Sequence, residues 1–117
     1  MSEKLTKALE FANYRSTLNN QRAILKSKAE SLLSYSIDGG TFTIDPGLIS
    51  FVKLLRDEGM ETAVLIDIYD NPISVELEDF YTEIISRYVE ATNDYLAEYG
   101  KLSKARSVKS ILDITDE

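Results

Sequence analysis

The first third of the chain has the hydrophobic periodicity of one long helix. Neither Pro nor Gly occurs before Gly39, and residues 3–34 predict a helix. Apolar residues stand seven positions apart along it, and most of the residues between them are polar. This narrow stripe is typical of a helix that packs against one neighbouring helix. The stripe consists of Phe11, Leu18, Leu25 and Leu32.

Residues 35–44 predict a short β-hairpin. Phe42 and Ile44 alternate with threonines, so that one face of the second strand is apolar. Asp38-Gly39-Gly40 provides residue types that adopt the positive φ angles of tight hairpin turns.

Residues 62–69 give the strongest strand pattern in the chain. One face would carry Val64, Ile66 and Ile68, and the other Leu65, Asp67 and Tyr69. Asp70-Asn71-Pro72 is typical of a turn, after which residues 73–75 would return as a short partner strand.

A short helix is predicted between the two β segments. Asp45 is a strong N-cap residue, Pro46 is favoured in the first turn, and Gly59 is typical of the position after the last turn. The apolar face of this helix is expected to bury Leu48, Phe51, Val52 and Leu55, with help from Ile49.

Residues 77–101 predict a second long helix, whose wide apolar stripe indicates packing on more than one side. Gly100 would either end this helix or be tolerated within it. Residues 102–112 predict a further helical piece, and residues 113–117 an acidic, frayed tail.

These elements predict an α+β fold in a single globular domain over residues 1–117. Two long helices would pack with a short central helix and a small antiparallel β-sheet of hairpins. The composition, 44% hydrophobic and 28% charged, is that of a globular chain. The polar run 19–22 leaves open whether the first long helix is one helix or two.

The chemistry of the side chains limits the kinds of activity. The chain contains no Cys and no His, which removes thiolate chemistry and the usual general base. It also has no nucleotide-binding loop. We therefore expect no catalytic residues, no cofactor and no enzymatic activity. A carboxylate-based hydrolase is the weakest alternative.

The charge and hydrophobicity limit the partners. A net charge of −7 disfavours nucleic acids and anionic lipids. The longest apolar run, residues 63–66, is far below the roughly 20 residues that span a bilayer. We expect a soluble protein in the cytoplasm that binds no membrane.

One turn carries oxygen ligands that suit a divalent cation. Asp67, Asp70 and Asn71 lie close together in sequence, and Ca²⁺ and Mg²⁺ prefer such ligands. Their spacing is not that of an EF-hand loop. The alternative is that Asp67 is a solvent-facing strand residue and that the other two simply form the turn.

Two further charged clusters have structural explanations. Glu83, Glu90, Asp94 and Glu98 form a ladder on the second long helix, where ion pairing with Arg87 would account for part of it. A basic stretch near the C-terminus is typical of residues that complement a helix dipole. It consists of Lys101, Lys104, Arg106 and Lys109.

The apolar stripe and a tyrosine ridge are the candidate interfaces. Tyr81, Tyr88 and Tyr95 stand seven residues apart, and tyrosine is common both at core edges and at interfaces. A straight helix over residues 3–34 would be about 48 Å long. A compact domain of this size has a radius of gyration of only about 13–14 Å. We therefore expect a homo-oligomer, most simply a dimer.

The segment from Gly40 to Arg106 resembles small accessory proteins of marine T4-like tailed phages, cyanophages among them. The resemblance rests on residues 40–45 before 48–52 and on residues 70–73 before an acidic helix that opens at Phe80. It also rests on Arg87-Tyr88 followed by Tyr95 and Arg106. It implies a virion, assembly or host-interaction role, in the host cytoplasm or the virion, and supplies no catalytic residues.

The sequence therefore favours a non-enzymatic interaction or structural protein that associates with itself through its long helices. A further protein partner is compatible with this interpretation. The alternative is a small domain that binds a ligand or a divalent cation.

Overall fold

The computed structural model describes residues 2–105, and these form an α+β fold as predicted. The β structure consists of two separate antiparallel hairpins, where the sequence predicted one small sheet. The helices are α1 (Glu3–Leu32), α2 (Pro46–Asp57) and α3 (Leu77–Lys104), and the strands are β1 (Ser34–Ile37), β2 (Gly40–Thr43), β3 (Thr62–Ile66) and β4 (Pro72–Glu76).

The polar run in the middle of α1 does not interrupt the helix. The helix is continuous from Glu3 to Leu32, so that residues 19–22 lie within one element. Gln21 in this run is buried, with 8% of its surface exposed. The alternative of two shorter helices is therefore wrong.

The two ends of α2 were predicted correctly. The Asp45 carboxylate accepts a hydrogen bond from the Leu48 N–H at 2.7 Å, and Gly59 has a φ angle of +86°. Phe51, however, is half exposed, which corrects its predicted place in the buried face. Adjacent helical residues are about 100° apart, and Phe51 is turned by that angle from the fully buried Val52.

The contacts group the chain into two compact units. One unit is residues 29–92, and the other combines residues 1–28 with 93–117. A single domain over residues 1–117 stays a prediction.

The core of the 29–92 unit lies between the two hairpins, α2 and the first half of α3. Phe42 packs edge-on against Phe80, with their ring centroids 5.2 Å apart. A Cβ on Gly40 would come within 2.5 Å of Ile73 Cγ1, so the absence of a side chain lets the hairpins approach closely. The buried residues are Phe42, Ile44, Val52, Leu65, Ile73, Val75, Leu77, Phe80 and Ile84.

The other unit has a small core between α1 and the end of α3. Leu25, Leu102 and Ala105 are buried there, with Leu18 and Tyr95 packed against them. The Tyr14 hydroxyl donates a hydrogen bond to the Ala105 carbonyl oxygen at 2.8 Å, which ties α1 to the end of α3.

Helix α3 tolerates Gly100, since it continues to Lys104. Its apolar stripe is wider than the face that it buries, since Val89 and Leu96 are both exposed. Of the helical piece predicted over residues 102–112, residues 102–104 belong to α3. Residues 106–117, which include the rest of that piece and the acidic tail, lie outside the described residues. Among residues 2–105, no helix has the length and apolarity to cross a membrane.

The pairing of β3 with β4 decides where their backbone groups point. The Asp67 N–H donates to Asn71 O at 3.0 Å, and the Leu77 N–H donates to Glu61 O at 2.9 Å. Hydrogen-bonded and non-bonded pairs alternate in an antiparallel ladder. The pairs Val64↔Ser74 and Ile66↔Pro72 are therefore non-bonded, and their backbone groups point away from the partner strand.

This register also explains why Pro72 is compatible with β4. A proline has no N–H to donate, and at this position the missing N–H would have pointed to the outer edge of the hairpin. The ladder between β3 and β4 therefore loses no hydrogen bond.

Candidate functional site

Asp67 lies just after β3 and is the most highly connected polar side chain in the 29–92 unit. Its Oδ2 accepts a hydrogen bond from the Thr41 N–H at 3.0 Å, and its Oδ1 accepts from the Tyr69 and Asn71 N–H groups at 2.9 and 2.8 Å. The carboxylate thus joins the turn of one hairpin to a strand of the other.

Asp67 is buried, which corrects the expectation that it faces solvent. Its side chain lies on the same side of the strand as Leu65, while Val64 and Ile66 face outward. The hydrogen bond from Thr41, opposed by burial and assisted by the bonds from Asn71 and Tyr69, lowers the pKa of Asp67. A carboxylate held in this way is ionised near neutral pH and serves as a structural anchor.

Hydrogen bonds within the protein already occupy Asp67, the central residue of the proposed cation ligands. Both oxygens of Asp67 are already engaged by backbone N–H groups, and Asn71 contributes its own N–H to that network. Asp70 is exposed and has a φ angle of +63°, which places it at the tip of the turn. In the part of the chain that the structure describes, no three carboxylates lie close enough together to hold a metal ion.

The apolar stripe of α1 is divided between covered and exposed positions. Leu25 is buried and Leu18 is packed beside it, both against residues of the same chain. Phe11 is 64% exposed, and Leu32, which belongs to the other unit, is 41% exposed. The four residues therefore do not form one open seam.

The tyrosine ridge is divided in the same way. Tyr81 and Tyr88 pack against the core of the 29–92 unit, and the Arg56 guanidinium lies 4.3 Å from the centre of the Tyr81 ring. Tyr95 packs in the other core, where its ring stacks on Tyr99 at 6.0 Å. These tyrosines serve as the edges of two cores.

Ion pairs account for much of the carboxylate ladder, as predicted. The Glu83 carboxylate accepts a hydrogen bond from the Arg87 guanidinium at 2.7 Å. The carboxylates of Asp94 and Glu98 form ion pairs with the amino groups of Lys28 and Lys101, at 3.2 and 3.3 Å respectively. Lys101 and Lys104 lie in the last turn of α3, where they complement the helix dipole. Arg106 and Lys109 lie outside the described residues.

A small cleft beside this ladder contains a cation–π contact. The Arg87 guanidinium lies 4.3 Å from the centre of the Tyr35 ring. Burial, followed by the Glu83 carboxylate, raises the pKa of Tyr35, and Arg87 opposes this shift. The cleft has a volume of about 190 Å³ and is lined by Leu32, Glu83, Ser86, Arg87, Glu90 and Ala91. Because Arg87 is paired with both Glu83 and Tyr35, these contacts account for the cluster without a ligand.

An apolar facet near the start of α1 is exposed, which was not predicted from the sequence. Leu5, Ala8, Leu9 and Ala12 follow the helical spacing i, i+3, i+4, i+7, and all four are exposed. On the helix surface this facet is turned by about 140° from Leu18 and Leu25, which pack inside the chain. The spacing was visible in the sequence, but the burial of the other face was not.

The outward face of β3 was not predicted either. Val64 and Ile66 are 63% and 62% exposed, although Leu65 between them is 4% exposed. Alternation separates the two faces but does not identify the one that is buried.

No protein-family model, curated protein or solved structure matches the chain.

Proposed function

We propose that the protein is a non-enzymatic interaction protein that forms a homodimer through its N-terminal helix. The observation that carries this proposal is the α1 facet, composed of Leu5, Ala8, Leu9 and Ala12. Every residue from Ser2 to Asn13 is exposed, so this facet has no apolar neighbour among residues 2–105.

The composition of the facet suits helix–helix packing. Ala8 and Ala12 are small and lie one turn apart, which allows a second helix to come close. Leu5 and Leu9 are 49% and 52% exposed and would be covered by that second helix. Fully burying a leucine side chain contributes about 1.5–3 kcal/mol, so covering these half-exposed leucines in both copies would favour association.

The proposed biological setting rests on the resemblance to phage accessory proteins. It would make the dimer a component of a virion, of its assembly or of an interaction with the host. The absence of His and Cys from the sequence supports a role that does not depend on catalysis.

Sedimentation equilibrium at micromolar concentration tests the dimer. The wild-type protein is expected to have twice the 13.2 kDa mass of the chain. Leu9→Glu is expected to give the mass of one chain, because it places a charge in the centre of the contact.

Leu96→Glu is the matched control, because it makes the same change at an exposed leucine of the other long helix. This variant should remain a dimer. A wild-type protein with the mass of one chain, or a Leu9→Glu variant with twice that mass, would contradict the proposal.

A further inference from the structure

The hairpin of β3 and β4 has an unpaired edge. Thr62, Val64 and Ile66 direct their backbone N–H and C=O groups away from β4, and the sheet within residues 2–105 has no third strand. Just beyond β3 the edge is already paired, because the Ile68 N–H donates a hydrogen bond to Thr41 O at 2.9 Å. The available edge is therefore the length of β3 itself.

This edge lacks the features that usually prevent strand pairing. Edge strands are commonly protected by proline, lysine or a bulge. The sequence of β3 is Thr-Ala-Val-Leu-Ile, which contains no charge and no proline, and its register with β4 is regular. A strand with this composition is a template for a further strand.

The outward face beside the edge is apolar. Val64 and Ile66 are exposed, and their cross-strand neighbours on the same face are Ser74 and Pro72. The side chains of an added strand would therefore contact apolar groups at alternate positions.

The surroundings of this face are strongly acidic. Residues 29–92 contain thirteen carboxylates and three cations, a net charge of −10. Glu76 lies on the outward face opposite Thr62. The neighbouring Asp79 carboxyl group, followed by burial and by Glu78 and Glu61, raises the pKa of Glu76.

A cleft adjoins this acidic end of the hairpin. It has a volume of about 430 Å³ and is lined by Arg56, Gly59, Met60, Glu61, Thr62, Glu76 and Glu78. Arg56 in the cleft already contacts the Glu78 carboxylate at 3.7 Å and the Tyr81 ring. A cation from outside the chain would relieve the repulsion among the remaining carboxylates.

We propose that β3 binds an extended segment of another protein as a third strand of the sheet. The segment would alternate apolar residues, which cover Val64 and Ile66, with lysine or arginine residues on the opposite face, where strand alternation places Glu61. Main-chain hydrogen bonds to β3 provide affinity, and the acidic end of the hairpin selects basic segments. A second copy of β3 fits less well, because it brings no cation.

A capped octapeptide that alternates valine and lysine is the probe, and titration calorimetry with amide chemical shifts is the measurement. This peptide should bind and should shift the amide resonances of Val64 and Ile66. The same peptide with N-methylated backbone groups on one edge should bind about tenfold more weakly or not at all, because it cannot complete the ladder. A valine–glutamate octapeptide should not bind.

Two variants test the contribution of the β3 edge and its apolar face, and a third is their control. Val64→Pro removes an outward N–H without breaking the ladder to β4 and should weaken binding by about tenfold or more. Ile66→Thr keeps the strand propensity and should weaken binding by a smaller factor, which preserves the test if the proline variant does not fold. Val89→Thr changes an exposed valine of α3 and should bind as the wild type does.

Three results would overturn the proposal: equal binding of the valine–glutamate peptide, unchanged binding to folded Val64→Pro, or a dimer that Val64→Pro converts to single chains. The last result would make a second copy the occupant of the edge. Leu9→Glu should leave peptide binding unchanged, so the fate of the proposed α1 dimer is measured separately.

Discussion

At the scale of single residues, Asp67 offers the sharpest test of the structure. Asparagine at this position keeps the shape of the side chain but replaces one accepting oxygen with a donor. At least one of the N–H groups from Thr41, Tyr69 and Asn71 would then lose its acceptor. Asp67→Asn is expected to lower the urea midpoint at pH 7.

The stability lost in Asp67→Asn should depend on pH in a definite direction. The pKa of Asp67 is lowered in the folded protein, so its contribution to stability is present above the ordinary aspartate pKa of about 3.9 and is lost as the pH falls through the lower folded value. The midpoint difference between wild type and Asp67→Asn should therefore shrink below about pH 4.

Asp70→Asn is the control for this substitution. Asp70 is exposed and has a positive φ angle, which asparagine adopts readily. Its midpoint at pH 7 should match that of the wild type. A loss as large as that of Asp67→Asn would assign the effect to removal of a negative charge and not to the hydrogen bonds.

At the scale of elements, replacing either of two glycines with alanine should change stability, but in opposite directions. Gly59 ends α2 with a φ angle of +86°, where a side chain is strained, whereas Gly100 lies inside α3. In both places an added Cβ would meet no atom within 4 Å, so the backbone decides the outcome. Gly59→Ala should lower stability by about 1–2 kcal/mol, and Gly100→Ala should raise it by about 0.8–1.0 kcal/mol.

Urea denaturation of the two variants under the same conditions checks this prediction. The two midpoints should move to opposite sides of the wild-type value. Movement in the same direction would show that one of the two backbone conformations differs from the structure.

The elements also show how far the sequence could predict this fold. The ends of α2 were predictable, because an N-cap such as Asp45 and a C-terminal glycine such as Gly59 act within a few residues. The choice of the buried face of β3 was not, because Val64 and Leu65 differ little in hydrophobicity. That choice depends on contacts with the first hairpin, such as the bond from Thr41 to Asp67, which lies 26 residues further along the chain.

The candidate sites were harder to predict for the same reason. The Asp67, Asp70 and Asn71 cluster is recognisable from its residue types, but its donors include Thr41 from the other hairpin. The stripe on α1 was recognisable from its spacing. Its division into a covered half at Leu25 and an exposed residue at Phe11 depends on where Leu102 and Ala105 pack.

At the scale of the whole molecule, the uneven charge should make stability depend on salt. Residues 29–92 carry a net charge of −10, and the other residues carry +3. Exposed ion pairs such as Lys7–Glu3 contribute little, so repulsion among carboxylates should dominate. The urea midpoint is expected to rise between about 10 mM and 500 mM NaCl, since salt screens this repulsion.

Glu76→Gln tests the source of this effect. The pKa of Glu76 is raised, so its ionisation weakens the folded state, and stability is lost as the pH rises through the folded value. Removing this charge should raise the midpoint at pH 7 in low salt and reduce the gain from added NaCl. A wild-type midpoint that falls as salt is added would show instead that the ion pairs dominate.

The position of Pro72 has a consequence for polymerisation. An added strand can pair with the β3 side of the hairpin, but the β4 side presents a proline where a growing ladder requires an N–H donor. Growth can therefore start at one side only, and a copy added there has no second competent side from which to continue. A proline on the β4 edge therefore allows the exposed, apolar β3 strand to bind a partner without seeding amyloid fibrils.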